Sequence, residues 1–77
     1  MNMNIKNLHL IDHSYYTGRP VRIQFLDKSS NLNVIFCNVI EINEDNFEVV
    51  YLNHTIDRGW KAITEIIPFS EVCKVFY

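Results

Sequence analysis

The residues best suited to chemistry lie in one short segment, which runs from Tyr51 to Lys61. Tyr51 and Trp60 offer aromatic faces for stacking, and His54 adds a polar ring. Arg58 and Lys61 supply positive charge for a phosphate or a carboxylate. Aromatic rings interleaved with cations in a loop are typical of a recognition site. The alternative interpretation is structural: the turn around Arg58 only bends a hairpin, and Trp60 caps the core.

A second aromatic and basic group lies just before and within the first predicted strand: Tyr15, Tyr16, Arg19 and Arg22. Arginines beside aromatic rings are suited to binding an anion. However, a helix that packs its tyrosines against a sheet explains the same residues without a ligand and leaves both arginines in solvent. Arg19 and Arg22 are therefore candidate binding residues that rank behind the 51–61 segment.

No residue pattern predicts a metal site, a cofactor or catalysis. His9 and His13 have metal-ligand spacing on a helix, but His54, Cys37 and Cys73 complete no local zinc motif. The serines lie in no nucleophile motif, and the two glycines of the chain are too few for a glycine-rich phosphate loop. The sequence predicts a protein that is not an enzyme and that binds no metal and no cofactor.

Length and charge narrow the remaining functions. The 77 residues suffice for one domain, and seven basic against nine acidic residues give a formal net charge of −2. Proteins that bind nucleic acid usually carry a basic excess, so this balance favours a protein partner. The apolar runs are too short to span a membrane. No signal peptide is recognisable over residues 1–10, which predicts a cytoplasmic chain.

The spacing of apolar residues predicts one helix followed by strands. Ile5, Leu8, Ile11 and Tyr15 recur every three or four residues, which predicts a helix over about 4–16 that stops at Gly18. From there the apolar period becomes two, typical of half-buried strands. The predicted strands cover residues 21–25, 33–43, 47–52, 60–67 and 72–77. The longest predicted loop covers residues 53–59.

Two interruptions of the strand pattern indicate how the sheet is shaped. The alternation breaks near Asn38, which predicts a bulge or a bend in the second strand. Pro68 lacks a backbone donor and begins a one-turn break before the last strand. Five short strands joined by tight turns would leave two unpaired edges in a flat sheet. Closing the sheet into a barrel would remove these edges. The prediction is a mainly β fold: a small five-stranded barrel over about 20–77 with a short N-terminal helix, all one domain over 1–77.

Two stretches resemble known families. The order Val21-Arg22-Ile23-Gln24-Phe25, Val39-Ile40-Glu41-Ile42 and Phe47-Glu48-Val49 resembles the Sm/SH3-like small-barrel group. Within that group, Ile67-Pro68-Phe69-Ser70-Glu71-Val72 resembles the closing run of the YolD-like proteins of low-GC bacteria. Those proteins are associated with Y-family DNA polymerases and the DNA-damage response. The resemblance therefore implies a small barrel that acts in such a context.

The last predicted strand is apolar on both faces apart from Lys74. One face fills the core, so the rest forms an edge that invites pairing with another chain. Cys73, Val75 and Phe76 are the predicted self-association edge, which makes a homo-oligomer the expected state. The alternative is that the N-terminal helix covers this edge.

Together these features predict a non-enzymatic regulatory adaptor that binds another protein through a barrel edge and the His54–Lys61 loop. One alternative is a small inhibitor encoded by a phage or a plasmid, since such proteins are often short and acidic. The other is a nucleic-acid-binding barrel, whose affinity would fall steeply with added salt. Its binding residues would be Arg19, Arg22, Arg58, Lys61, Tyr51 and Trp60.

Overall fold

A computed structural model describes residues 6–77, and within them the fold is mainly β, with one α-helix and five antiparallel strands. One turn of 3-10 helix, Phe69–Glu71, separates the last two strands, as Pro68 predicted. In chain order the elements are α1 (His9–Thr17), β1 (Val21–Leu26), β2 (Leu32–Ile42), β3 (Asn46–Thr55), β4 (Gly59–Pro68) and β5 (Val72–Phe76).

The helix α1 begins later than predicted and ends where predicted. Positions 4 and 5 of the predicted helix lie outside the described residues, and residues 6–8 precede α1 without being helical. Gly18 terminates the helix with φ 75°, and its N–H donates to the Ser14 carbonyl at 2.8 Å. Glycine adopts this left-handed conformation without a Cβ clash. Within residues 6–77, no helix has the length and hydrophobicity needed to cross a membrane.

The five strands form one open sheet. Their order is β4-β3-β2-β1-β5, so β4 and β5 are the two edges. No ladder joins these edges among the described residues, and the hydrogen-bonded closure expected of a barrel is therefore not seen in this part of the chain. Both halves of the sheet instead contribute side chains to one core.

The strand β2 serves both halves of the sheet. Its residues 32–37 pair with β1, and residues 38–42 pair with β3. The second ladder shifts register between Val39 and Glu41, which leaves Ile40 as an extra residue. Such a bulge bends a strand and increases its twist. The interruption predicted near Asn38 is a bulge, and it lies two residues further on, at Ile40.

The core lies between the sheet and α1, and every element except the 3-10 turn contributes at least one buried residue. The ring of Phe47, the largest of them, lies 5.0 Å from the ring of Phe69 in the 3-10 turn, which covers one end of the core. The buried apolar residues are Ile11, Val21, Ile23, Phe25, Cys37, Val39, Phe47, Val49, Ile67, Val72 and Val75.

A buried serine joins α1 to β2. The β1–β2 ladder ends at Cys37, and α1 becomes the neighbour of β2 from there on. The Ser14 side chain is fully buried, and its Oγ accepts a hydrogen bond from the Val39 N–H at 3.2 Å. The side-chain amide of Asn38 donates to the Gly18 carbonyl at 2.6 Å. The C-terminal end of α1 is therefore held at the bend of β2.

The hairpin of β3 and β4 is longer than predicted. The segment 53–59, predicted as a loop, continues both strands, and only residues 56–58 form the turn. Gly59 follows the turn with φ 72°, as hairpins with three-residue turns require. Tyr51 packs against the core at the base of the hairpin, and no residue from 52 to 62 is buried, so the rest of the hairpin extends past the core. Residues 51–63 form the hairpin arm.

Candidate protein-binding groove

A groove of about 610 Å³ opens between β2 and the hairpin arm. The groove exists because β2 and β3 pair over only part of their length. The β2–β3 ladder begins at the pair Asn38–Val50, so residues 32–37 of β2 and residues 51–55 of β3 run beside each other without pairing. The groove occupies the space between these two stretches, and none of its lining residues within 6–77 is charged.

Large apolar side chains line this groove and remain in solvent. Phe36 on β2 is 55% exposed, Leu52 on β3 is 64% exposed and Trp60 on β4 is 69% exposed. Trp60 therefore does not cap the core. Single exposed apolar residues are ordinary, but several that face one groove mark an interaction site. Leu32 and Val34 extend this apolar surface along β2.

Both walls of the groove end in strand edges. Residues 32–37 of β2 form a ladder with β1 alone, and residues 51–55 of β3 form a ladder with β4 alone. On the groove side, each stretch therefore presents backbone N–H and C=O groups without a strand partner among the described residues. Such edges are templates for pairing with a further strand.

The bottom of the groove contains two groups whose ionisation is suppressed. The Tyr51 hydroxyl donates to Glu65 Oε1 at 3.2 Å. Burial, followed by the negative charge of Glu65, raises the pKa of Tyr51. Cys37 is buried at the groove bottom, and burial, followed by the Glu65 charge, raises its pKa from 9.0 to about 12. Both side chains are therefore neutral at physiological pH.

The raised pKa of Cys37 predicts that its thiol is unreactive in the folded protein. A shift from 9.0 to about 12 lowers the thiolate fraction about 1,000-fold at a given pH. We expect iodoacetamide at pH 8 to leave Cys37 unmodified in a Cys73→Ser variant until urea unfolds the chain. Mass spectrometry after timed labelling measures this. Modification of native Cys37 at the rate of an unfolded peptide would show that the groove exposes the core.

The structure brings only part of the predicted 51–61 site to the groove. Tyr51 and Trp60 line it, and the His54 ring packs edge-on against Trp60 with 5.0 Å between centroids. Arg58 lies in the turn at the tip of the arm. Lys61 pairs with Asn53 and, because successive strand residues alternate, lies on the opposite face of the arm from Trp60.

The two predicted arginines lie in different places. The Arg22 guanidinium carbon is 4.9 Å from the centroid of the Phe36 ring, so Arg22 borders the groove. The Arg19 guanidinium carbon lies 3.9 Å from the Tyr77 ring centroid, at the C-terminal end of the chain. Tyr77 also hydrogen-bonds His13 through the ring Nδ1. Arg22 thus borders the groove, whereas Arg19 packs on Tyr77, which contacts α1 through His13.

The predicted self-association edge is only partly available. Val75 is fully buried in the core, so its side chain contributes to no outer surface. Its N–H donates to the Lys6 carbonyl at 2.8 Å, so the segment before α1 covers this part of the β5 edge. Cys73 is the extra residue at a register shift against β1. Phe76 is half-buried beneath the Lys74 ammonium, which lies 5.3 Å from its ring centroid.

Phe36, Leu52 and Pro20 line the groove but were not among the predicted site residues. A signal for Phe36 was present in the sequence. The stretch Leu32–Cys37 carries apolar residues on both faces, which means that one apolar face has to lie outside the core. The alternation alone does not indicate which face that is.

In the part of the chain that the structure describes, no three His, Cys, Asp or Glu residues lie close enough together to hold a metal ion. His13, one of the pair with metal-ligand spacing, faces Tyr77 with 6.0 Å between ring centroids.

Comparison with known proteins adds no assignment: the chain matches no family model, and no curated protein or solved structure shows significant similarity to it.

Proposed function

We propose that this protein is a non-enzymatic adaptor that binds another protein in the groove between β2 and the hairpin arm. The observation that carries the proposal is the group of exposed side chains around the groove: Phe36, Leu52 and Trp60. Aromatic residues dominate the binding energy of protein interfaces because they bury a large area with few rotatable bonds. A groove lined only by uncharged residues suits a contact that rests on apolar burial.

The fold context of the proposal comes from the family resemblance. The bent β2, shared by two halves of the sheet, and the single 3-10 turn before β5 support a place among the Sm/SH3-like small barrels. The run from Ile67 to Val72 supports a relation to the YolD-like proteins. On that basis the proposed partner belongs to DNA repair or nucleic-acid processing in the cytoplasm.

Trp60→Ala is expected to abolish partner binding and preserve the fold. Truncation of a central interface tryptophan costs at least about 2 kcal/mol of binding free energy, or about 30-fold in Kd. Because Trp60 is 69% exposed, its loss should change the free energy of unfolding by no more than about 0.5 kcal/mol. Partners retained by the wild-type chain are purified, and their Kd is measured by calorimetry.

Tyr16→Ala is the matched control for this test, because Tyr16 is a 79% exposed aromatic residue on α1 that does not line the groove. It should bind the partner as the wild-type chain does. A partner bound equally by the Trp60→Ala variant would contradict the groove as the binding site. Loss of the folded state in Trp60→Ala would contradict the position of Trp60 outside the core.

One observation favours nucleic-acid binding as a second candidate function. Arg19 and Arg22 each stack on an aromatic ring, an arrangement that also suits a phosphate backbone with flanking bases. Titration with a fluorescent single-stranded oligonucleotide at several salt concentrations tests it. The adaptor proposal expects no saturable complex at 150 mM salt. A complex whose salt dependence decreases in an Arg22→Gln variant would favour the nucleic-acid function instead.

A further inference from the structure

We infer that the partner enters the groove as an extended acidic segment that pairs, as an added β-strand, with the free edge of β2. This inference rests on the proposed function and specifies the chemistry of the partner. It follows from three properties of the groove: a strand edge of suitable length, apolar lining on both sides of that edge, and a basic rim.

The free edge of β2 has the length of an ordinary strand. Six consecutive residues, 32–37, are held in register by β1, from the pair Leu26–Leu32 to the pair Val21–Cys37. Strands in globular proteins are most often about 5–6 residues long. An extended peptide beside this stretch would satisfy the groove-side N–H and C=O groups, which is the recognition mode of β-strand addition. A nucleic acid has no backbone donors and acceptors with this repeat.

The groove offers apolar surface to both faces of an added strand. Successive side chains of a strand point to opposite faces. On one face an added strand would meet Leu52 and Trp60 of the hairpin arm, and on the other it would meet the half-buried Ile35 and the buried Cys37. The centre of the partner segment is therefore expected to be uncharged and rich in apolar and β-branched residues.

The charges on the outer rim of the groove favour acidic residues on the partner, and at the groove bottom the Glu65 carboxylate already accepts the Tyr51 hydroxyl. Cross-strand partners share a face, and the row Phe76–Arg22–Phe36 crosses β5, β1 and β2 on the outer side of the sheet. The next row is Lys74–Gln24–Val34, so these two rows carry two cations and no carboxylate, and Arg22 is the cation that borders the groove. An acidic cluster lies at the other end of β2, in the β2–β3 turn and the strand residues beside it: Glu41, Glu44, Asp45 and Glu48.

Selection from a random peptide library tests the inference with the full chain. Displayed 12-residue peptides are selected on the wild-type protein and counter-selected on Trp60→Ala. We expect the enriched peptides to carry a short apolar, β-branched stretch flanked by Asp or Glu. The Kd of the best synthetic peptide should rise about tenfold in Arg22→Glu. Lys6→Glu is the matched control, because it makes the same charge change. Lys6 lies beside β5, on the far side of β1 from the free edge of β2, so this variant should leave the Kd unaltered.

Backbone pairing is tested on the same peptide. N-methylation of alternate amides should weaken binding about tenfold for one set of positions and leave the other set unaffected, because only one edge of the peptide faces β2. Hydrogen exchange of the bound protein should slow at amides within residues 32–37 that do not already pair with β1. Binding that tolerates both methylated sets would overturn strand addition.

The outcomes separate this inference from the proposed function. Peptides that depend on Trp60 but are proline-rich, basic or unaffected by Arg22→Glu would overturn the acidic strand and leave the groove as a protein site. A selection that enriches no Trp60-dependent peptide would overturn both. Saturable binding of a random single-stranded oligonucleotide, lost in Arg22→Glu, would also overturn both and assign the basic rim to nucleic acid.

Discussion

Replacing Phe47 with alanine is expected to destabilise the protein by about 3–5 kcal/mol. The Phe47 side chain is fully buried in β3, and its ring packs against Phe69 at 5.0 Å. Truncation removes the buried ring and leaves a cavity that both halves of the sheet surround. A domain of 77 residues has a total stability of roughly 4–12 kcal/mol. The substitution is therefore expected to remove between about a quarter and all of that stability.

Urea denaturation followed by far-ultraviolet circular dichroism measures this effect. Phe36→Ala is the matched control, because it removes the same side chain from a position that is 55% exposed on the neighbouring strand. It should change the free energy of unfolding by less than about 1 kcal/mol and should weaken partner binding. Equal destabilisation by the two substitutions would mean that Phe47 does not occupy the centre of the core.

Replacing Ser14 with alanine is expected to destabilise the protein by about 1–3 kcal/mol, although alanine is the better helix former. The Ser14 Oγ accepts the Val39 N–H at 3.2 Å, and both residues are buried. Alanine would leave that amide without an acceptor in a place that water does not reach. The cost of the unsatisfied donor exceeds the gain in helix propensity, which is a few tenths of a kcal/mol.

Hydrogen exchange resolves the origin of the Ser14 effect. In Ser14→Ala the Val39 amide should exchange faster than in the wild-type protein, relative to amides in the β3–β4 ladder. Ser29→Ala, in the exposed β1–β2 turn, is the control and should be neutral in both stability and exchange. An unchanged or increased stability of Ser14→Ala would contradict the hydrogen bond as the joint between α1 and β2.

The sequence by itself determined those features of the fold that depend only on residues adjacent in the chain. Gly18 ended the helix because it adopts a left-handed conformation without a steric penalty, and its φ is 75°. Pro68 preceded the 3-10 turn because proline removes a ladder donor. The alternation from Val21 to Phe25 identified a strand with one buried face. Each of these preferences acts over a few residues, and no contact with a distant part of the chain overrides it.

The extent of the hairpin was decided by the tertiary structure. Polar residues such as Asn53 and His54 predicted a loop, but they lie in β3 and pair with β4. A hairpin that extends past the core has both faces in solvent, so its strands need no apolar alternation. Backbone pairing and the Gly59 turn maintain it instead. The composition of a strand in solvent resembles that of a loop, and local patterns do not separate the two.

The groove was also decided by the tertiary structure. Alternation showed that Phe36 and Cys37 lie on opposite faces of β2, but both faces are apolar, so the pattern did not show that Cys37 is buried and Phe36 is exposed. That choice depends on where α1 and the second half of the sheet pack. The divergence of β2 from β3 depends on a ladder that begins only at Asn38, beside the contacts of Ser14 and Gly18. Local periodicity determined which residues share a face, and long-range packing determined which of the two faces stayed exposed.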